Sequence, residues 1–330
     1  MTQPKAPKLR VGFILAPHFT ISAFASFLDV LRLAADDGDQ SRQINCEWHI
    51  LSHNGQPVRS SSAVEVRPDA PLARPQDYDY IVVVGGLLKE QVRIGPEYIR
   101  FLQDAANRGV PLVALCTAVF LMHEAGLLDG YKCCVSWFHH DDFLETFEGM
   151  VPISDQIFVV DRDRLTCSGG TSSAHLAAFL VERHVGRAAA QKSLHIMIID
   201  ELQVAEKPQP GLPLELSTRD PLVSRALLRI QQRLDAPEPA ENLAKALGVS
   251  KRKLERHFQK ALNITPSIAA MRIRIAQAKM MIERTDRTIV DIANSTGFCD
   301  ASHFSRVFSK QEGMAPAAYR QASRLGPADV

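Results

Sequence analysis

Apolar positions along this chain change their period once, and the change divides it. The stretch "LRVGFILA" (9–16) is a near-continuous apolar run of the length expected for a buried strand. "ISAFASFLDVLRLAAD" then spaces its apolar residues at three and four, with Asp29 and Arg32 off the apolar face, and predicts a helix. "CEWHILS", "YDYIVVVGG" and "VPLVALC" repeat the strand signal. Between the last two, "PEYIRFLQDAANRG" predicts an amphipathic helix with Pro96 near its start and Gly109 past its end. A further helix begins directly after Cys116, "QIFVVDRDRLTCSGG" predicts a hairpin turning around Asp161–Asp163, and "TSSAHLAAFLVERHVG" predicts the helix after it. Such alternation implies an α/β fold, a doubly wound and mostly parallel sheet covered on both faces. Ligands of such sheets bind beyond the carboxyl ends of the strands. The turns after Ala16, Val84 and Leu115 are therefore expected to share one crevice.

The proline-rich "VAEKPQPGLPLELSTRDP" reads as a linker, and everything beyond it has helical spacing. The expected boundaries are 1–202 for the α/β domain, 203–219 for the linker and 220–330 for an all-α domain. "PAENLAKALGVSKRKLERHFQKAL" predicts a short helix, a turn at Gly248 and a second helix capped by Ser250. Leu243, Ala244, Leu247, Leu254 and Phe258 form its apolar face, while Lys251, Arg252, Glu255 and Arg256 face outward. "TIVDIANSTGFCDASHFSRVFSKQEG" repeats the plan: Ile289, Ile292 and Ala293 precede a turn at Gly297, and Phe304 and Phe308 anchor the next helix. The helix expected over "PSIAAMRIRIAQAKMMIER" separates the two units by close to 30 Å, at about 1.5 Å per residue. Successive major-groove faces of B-DNA lie about 34 Å apart, so one chain can present two recognition helices to adjacent grooves.

Charge supports that reading. Residues 220–330 hold 18 basic and 11 acidic residues, whereas the preceding 219 hold 20 basic and 26 acidic. The basic half is the half expected to meet a polyanion. The six cysteines (Cys46, Cys116, Cys133, Cys134, Cys167, Cys299) form no C-x-x-C pair, and no histidine cluster completes a zinc pattern. They are expected to be reduced thiols, with Cys133 and Cys134 in a strand, and no metal or cofactor is expected. No apolar run is long enough to span a bilayer and no signal-peptide core follows "MTQPKAPKLR", so a cytoplasmic protein without membrane contact is expected.

The C-terminal pattern I-A-x-x-x-G-F-x-D-x-S-x-F-x-R-x-F-x-K-x-x-G-x-x-P-x-x-Y-R in "IVDIANSTGFCDASHFSRVFSKQEGMAPAAYR" resembles the AraC-type DNA-binding domain. The front region resembles the PfpI-type, class I glutamine-amidotransferase-like domain, and the two in this order resemble GlxA-type transcriptional regulators. By position in the family motif, Arg252, Glu255 and Arg256 of the first unit and Ser302, His303 and Arg306 of the second are expected to face base edges, with Lys251 flanking them. The resemblance implies double-stranded promoter DNA, RNA polymerase and a second copy of the chain as partners. It also implies a small effector that is amino-acid-derived or a quaternary amine.

Related enzymes combine an elbow cysteine with a histidine and an acidic residue from the first strand–helix turn. Cys116 matches the elbow, but Ser136 in "VSW" stands where the histidine is expected, and "PHFTISAF" has no carboxylate before Asp29. A thiol without base and orienting acid is not an activated nucleophile. His18, His139 and His140 are the residues that could substitute in space, and His175 stands where this group often has an acidic residue. The expected walls of a binding crevice are His18, Phe19, Gly85, Gly86, Leu87, Cys116, Thr117, Ser136, Trp137, Ser168, Gly169 and Gly170. The glycines either let a ligand approach the backbone or simply make tight turns, and Trp137 is either a cation-binding face or core. The expected protein is a regulator, an activator, whose degenerate α/β domain binds a metabolite. The alternatives are a bifunctional protein with amidase or hydrolase chemistry at Cys116, and a ligand-independent DNA-binding protein whose α/β domain serves assembly.

Overall fold

Val11, Phe13 and Leu15 of strand β1 (Leu9–Leu15) pack into one core, and Ile14 and Ala16 into another on the opposite face. The same alternation runs through β6 (Tyr80–Val84) and β7 (Leu112–Leu115): Val82, Val84, Val113 and Leu115 join the first core, and Ile81, Val83, Leu112 and Ala114 the second. A strand buried on both faces needs apolar residues at every position, which is why these runs are continuous rather than alternating. The computed structural model describes residues 7–88, 94–147, 152–207, 209, 216, 218, 220–234 and 236–324. The chain divides into two compact units, Met1–Gln209 and Pro210–Val330.

In the first unit β1, β6 and β7 are joined by β2 (Cys46–Ser52), β5 (Ala70–Pro71), β8 (Phe158–Asp161) and β9 (Arg164–Cys167) in the order β5-β2-β1-β6-β7-β9-β8. All pairings are parallel except that of edge strand β8 with β9, which is the expected hairpin. A separate two-stranded ribbon pairs β3 (Val58–Arg59) with β4 (Glu65–Val66). Helices α1 (Ile21–Ala35), α5 (Ser172–His184) and α6 (Arg187–Ile196) pack together over one face. The other is covered by α2 (Pro96–Asn107), α3 (Ala118–Glu124) and Phe143 of α4 (His140–Thr146). Cys133 and Cys134 are buried as expected of structural cysteines, but no strand forms there. Cys134 makes a single bridge to Ile153 and donates its N–H to the Thr166 hydroxyl, so the segment is pinned without a ladder.

Chain order leaves β1 toward β2 and returns on its other side at β6, which makes the carboxyl ends of β1 and β6 the topological switch point. Three turns meet there through their backbones. Ala16 donates its N–H to Val84 O, Gly85 to Leu115 O, Thr20 to Gly85 O, and Leu87 to His18 O. The Thr117 hydroxyl donates to Gly86 O at 2.7 Å. A Cβ on Gly86 would lie 1.7 Å from His18 O, and one on Gly85 2.1 Å from Ala118 N. The two glycines are therefore demanded by contact between turns.

In the second unit α7 (Pro221–Gln231), α8 (Ala240–Ala246) and α9 (Lys251–Leu262) form one helix-turn-helix unit. Helices α11 (Ile289–Ser295), α12 (Ala301–Glu312) and α13 (Pro316–Arg324) form the other. The spacer α10 (Pro266–Arg284) has the expected bounds. Ser250 caps α9 by accepting the Lys253 N–H, and Asp300 caps α12 by accepting that of His303. Each unit has its own core and α10 serves both, giving Ala269 and Ile273 to the first and Ile275, Ala278 and Ile282 to the second. Phe258, Phe304 and Phe308 are fully buried.

Gly86→Ala is expected to destabilise the α/β unit by about 3 kcal/mol, the upper end for overpacking, because backbone rather than a side chain must give way. Denaturant unfolding of residues 1–209 measures it. A loss below about 1 kcal/mol would mean that the turns part easily.

Candidate functional site: a thiol elbow and two recognition helices

Cys116 joins β7 to α3 with φ at 59°, a left-handed conformation uncommon for a side chain with a Cβ. Surrounding contacts impose it. Its N–H donates to Cys167 O, and Gly169 (φ 89°) leans on it so closely that a Cβ there would lie 2.8 Å from Cys116 Cβ. Such backbone strain persists only where neighbours over-determine it. The sulfur lies 3.5 Å from the Thr20 hydroxyl. Thr20 occupies the N-cap position of α1, yet its side chain makes no cap there. Burial pushes the Cys116 thiol up from its ordinary value, and the Thr20 hydroxyl and Thr117 amide offset this only in part. A thiolate is thus not favoured at this elbow, because desolvation is the largest influence on the sulfur.

The other elbow candidates are divided between lining and structure. His18, at φ 57°, lies in the first turn and donates its N–H to Arg59 O. Phe19 is fully buried, edge-on to Phe24, so it is core rather than a wall. Thr117 is buried and spends its hydroxyl on Gly86 O, while Leu87 is exposed. Ser168 donates its hydroxyl to Ser172, one residue before Gly169. Ser136 caps a short turn (137–139) by accepting the Phe138 N–H. Trp137 is half-buried and donates its backbone N–H to Gln209 Oε1 at 2.8 Å.

The histidines proposed as spatial substitutes are engaged locally. His139 Nδ1 lies 2.7 Å from Asp142, and His140, buried and lowered in pKa by that burial, lies 2.9 Å from the Ser154 hydroxyl. His175 is buried and accepts the Gln203 N–H at Nδ1, which leaves its proton on Nε2. Thr20 is the residue that sequence reasoning passed over. It lies inside "PHFTISAF", a stretch without a carboxylate, and a threonine hydroxyl there carries no charge to mark it. A groove of about 400 Å³ between α5 and α6, lined by Glu182, Arg187, His195 and Asp200 among others, takes in none of these residues. Among the described residues no cluster of three or more His, Cys, Asp or Glu can hold a metal, and no helix is long and apolar enough to cross a membrane. None of the six cysteines is in a disulfide.

On α9, Lys251, Arg252, Glu255 and Arg256 are all exposed, while Leu254 and Phe258 of the same helix are buried. On α12, Ser302 and Arg306 are exposed. His303 is half-buried, with its ring 5.5 Å from Phe298 and Nδ1 3.5 Å from Cys299 Sγ. Polar contacts hold these helices. Asp220 accepts the Leu222 and Val223 N–H groups at the start of α7 and pairs with His257 of α9 at 2.7 Å. Arg274, buried on α10, donates to the carbonyls of Thr296 and Gly297 in the turn before α12, with its guanidinium 4.0 Å over Phe298. Spacer and second turn are thus fixed to each other.

A parallel sheet with a thiol elbow, followed by paired helix-turn-helix units on one spacer, defines a two-domain transcriptional regulator. Family comparison agrees: a model described as the DJ-1/PfpI family matches residues 10–183, and one described as a helix-turn-helix domain matches residues 243–322. The chain belongs to the AraC family of transcriptional regulators that carry a DJ-1/PfpI-type front domain, the arrangement of GlxA and GbdR. It is 32% identical over 318 residues to the HTH-type transcriptional regulator GbdR of Pseudomonas aeruginosa, covering 96% of this chain and 85% of that one. It is 25% identical over 317 residues to the HTH-type transcriptional regulator GlxA of Rhizobium meliloti, covering 95% and 96%. An enzyme is also similar, the isonitrile hydratase of Pseudomonas putida, at 27% over 202 residues, 61% of this chain and 80% of that one. The protein is a DNA-binding regulator of transcription.

Asp220 yields a pH test. Burial raises its pKa, but the His257 hydrogen bond and the helix N–H groups outweigh this and leave it below its ordinary 3.8. A depressed folded pKa contributes stability above the unfolded value and loses it as pH falls. Asp220→Asn is therefore expected to destabilise the helical unit at pH 7, with the gap to wild type shrinking as pH falls from about 5 toward 3. Thermal unfolding across that range reads it; a constant gap would assign the effect to packing.

Proposed function

We propose that the α/β unit senses a small nitrogen-containing metabolite at the Cys116 elbow without turning it over, and that binding sets promoter occupancy by the helical unit in a homodimeric activator that contacts RNA polymerase. One observation carries the sensor reading: the partner of the half-buried Cys116 sulfur is the Thr20 hydroxyl, which can neither take its proton nor orient a base. What remains is a switch point where turn backbones converge on an uncharged thiol, the place at which sheets of this kind bind ligands. The strained elbow itself favours a second reading, retained hydrolytic chemistry at Cys116, because backbone strain is a frequent companion of nucleophiles.

Thermal-shift screening of nitrogen metabolites against residues 1–209 tests the sensor, since a ligand of the folded state raises Tm by mass action. Cys116→Ser is expected to leave an effector-driven reporter within about twofold of wild type, while Cys116→Trp, which fills the crevice, abolishes the response. Silencing by the serine change, with fold and DNA binding retained, would establish thiol chemistry and overturn the sensor reading.

For DNA, Arg252, Glu255, Arg256, Ser302, His303 and Arg306 are the proposed base-facing residues, and Lys251 a phosphate contact. Arg256→Ala is expected to relax preference at one operator position by about 1–3 kcal/mol, the scale of a bidentate arginine–guanine pair, without altering the fold. Mobility shifts over a panel of single-base operator variants read it. A uniform loss over all variants, with a shallower salt dependence, would make Arg256 a phosphate contact instead.

A further inference from the structure

Gln209 lies in the proline-rich stretch that reads as a linker, yet it is 4% exposed and its side-chain amide is fully engaged. Oε1 accepts the Trp137 N–H at 2.8 Å, and Nε2 donates to Val135 O at 2.9 Å and to Gln156 O at 2.7 Å. All three partners are main-chain atoms, so the amide fixes backbone to backbone. The residues before it are bound as well. Gln203 donates its N–H to His175 Nδ1, and Ile157 donates its own to the carbonyls of Ala205 and Lys207. Ile157 O in turn accepts the N–H of Ser168, whose neighbour Gly169 presses on Cys116. Residues 203–207 and Gln209 are thus a strap tied to two proposed walls of the elbow crevice, through Ile157–Ser168 and through Trp137.

A tether needs no buried amide. Burying one is favourable only when each of its polar atoms is paired, which makes its docking specific to one arrangement of the partners. The residue after Gln209 is the first of the helical unit. We propose that Gln209 is the positioning residue that couples the crevice to the interdomain segment, because its amide makes the Val135–Trp137 wall and the strap one hydrogen-bonded body. A ligand that shifts the wall must then shift or release the strap. This inference rests on the crevice being the effector site.

Hydrogen exchange on the full chain tests the coupling without a ligand. Gln209→Met, close in size but without hydrogen bonds, is expected to speed exchange about tenfold in peptides covering both 133–139 and 203–207, leaving β1, β6 and α9 unchanged. Trp137→Pro, which removes the N–H that Gln209 Oε1 accepts, is expected to speed exchange in 203–207 too, and to add little to the Gln209→Met variant, the non-additivity of coupled sites. Acceleration confined to the strap, or simple additivity, overturns the proposal. Should the Met variant fail to fold, Gln209→Glu, which keeps the acceptor and loses both donors, carries the same comparison. A compound found by the thermal-shift screen then adds the functional arm, read on operator DNA selected by the full chain from a random library. Gln209→Met is expected to bind the compound within about threefold of wild type but to lose at least tenfold of its effect on operator affinity. A compound effect that survives overturns the coupling. If no compound binds, the sensor reading fails while the exchange result still decides the strap.

Discussion

The α/β unit depends on the contact of three turns at the carboxyl ends of β1, β6 and β7. Backbone touches backbone there, and glycines at 85 and 86 are what allow it. Because the turns are bonded to one another, the elbow they surround is over-determined and can hold Cys116 in a left-handed conformation. That conformation fixes where the sulfur lies, beside Thr20, and burial there keeps it a thiol. The same packing that builds the elbow thus raises the thiol rather than lowering it.

The helical unit solves a different problem, holding two recognition helices at a fixed separation. A nineteen-residue spacer that belongs to both cores does this through apolar contacts, and buried Arg274 adds direction by binding the turn before α12. Apolar faces alone permit sliding and rotation. A guanidinium paired to two carbonyls and stacked on Phe298 does not.

Much of this was legible in the sequence because it is periodic. Six main strands, the helix-turn-helix pairs, the Ser250 cap and the bounds of the spacer all follow from apolar spacing and cap chemistry. The ribbon β3–β4 and strand β5 were not legible, since two-residue strands carry no period. Phe19 was assigned to the crevice from its place in a turn, but the turn buries its ring against Phe24. The strap was missed for a related reason. Proline-rich composition describes the backbone's lack of regular structure, and says nothing of whether one side chain, Gln209, finds main-chain partners far away in sequence. Thr20 has no charge by which a sequence marks a catalytic partner, and the group that meets the sulfur is its hydroxyl.

The central claim is that the elbow binds and does not react. The most direct measurement follows the ligand itself: the full chain is incubated with an excess of the compound that stabilises the α/β unit, and the compound is quantified by NMR over many binding equivalents. It should be recovered unchanged, apart from the one equivalent held per chain at saturation. Consumption beyond that equivalent, abolished by Cys116→Ser, would make the elbow an active site and contradict the account.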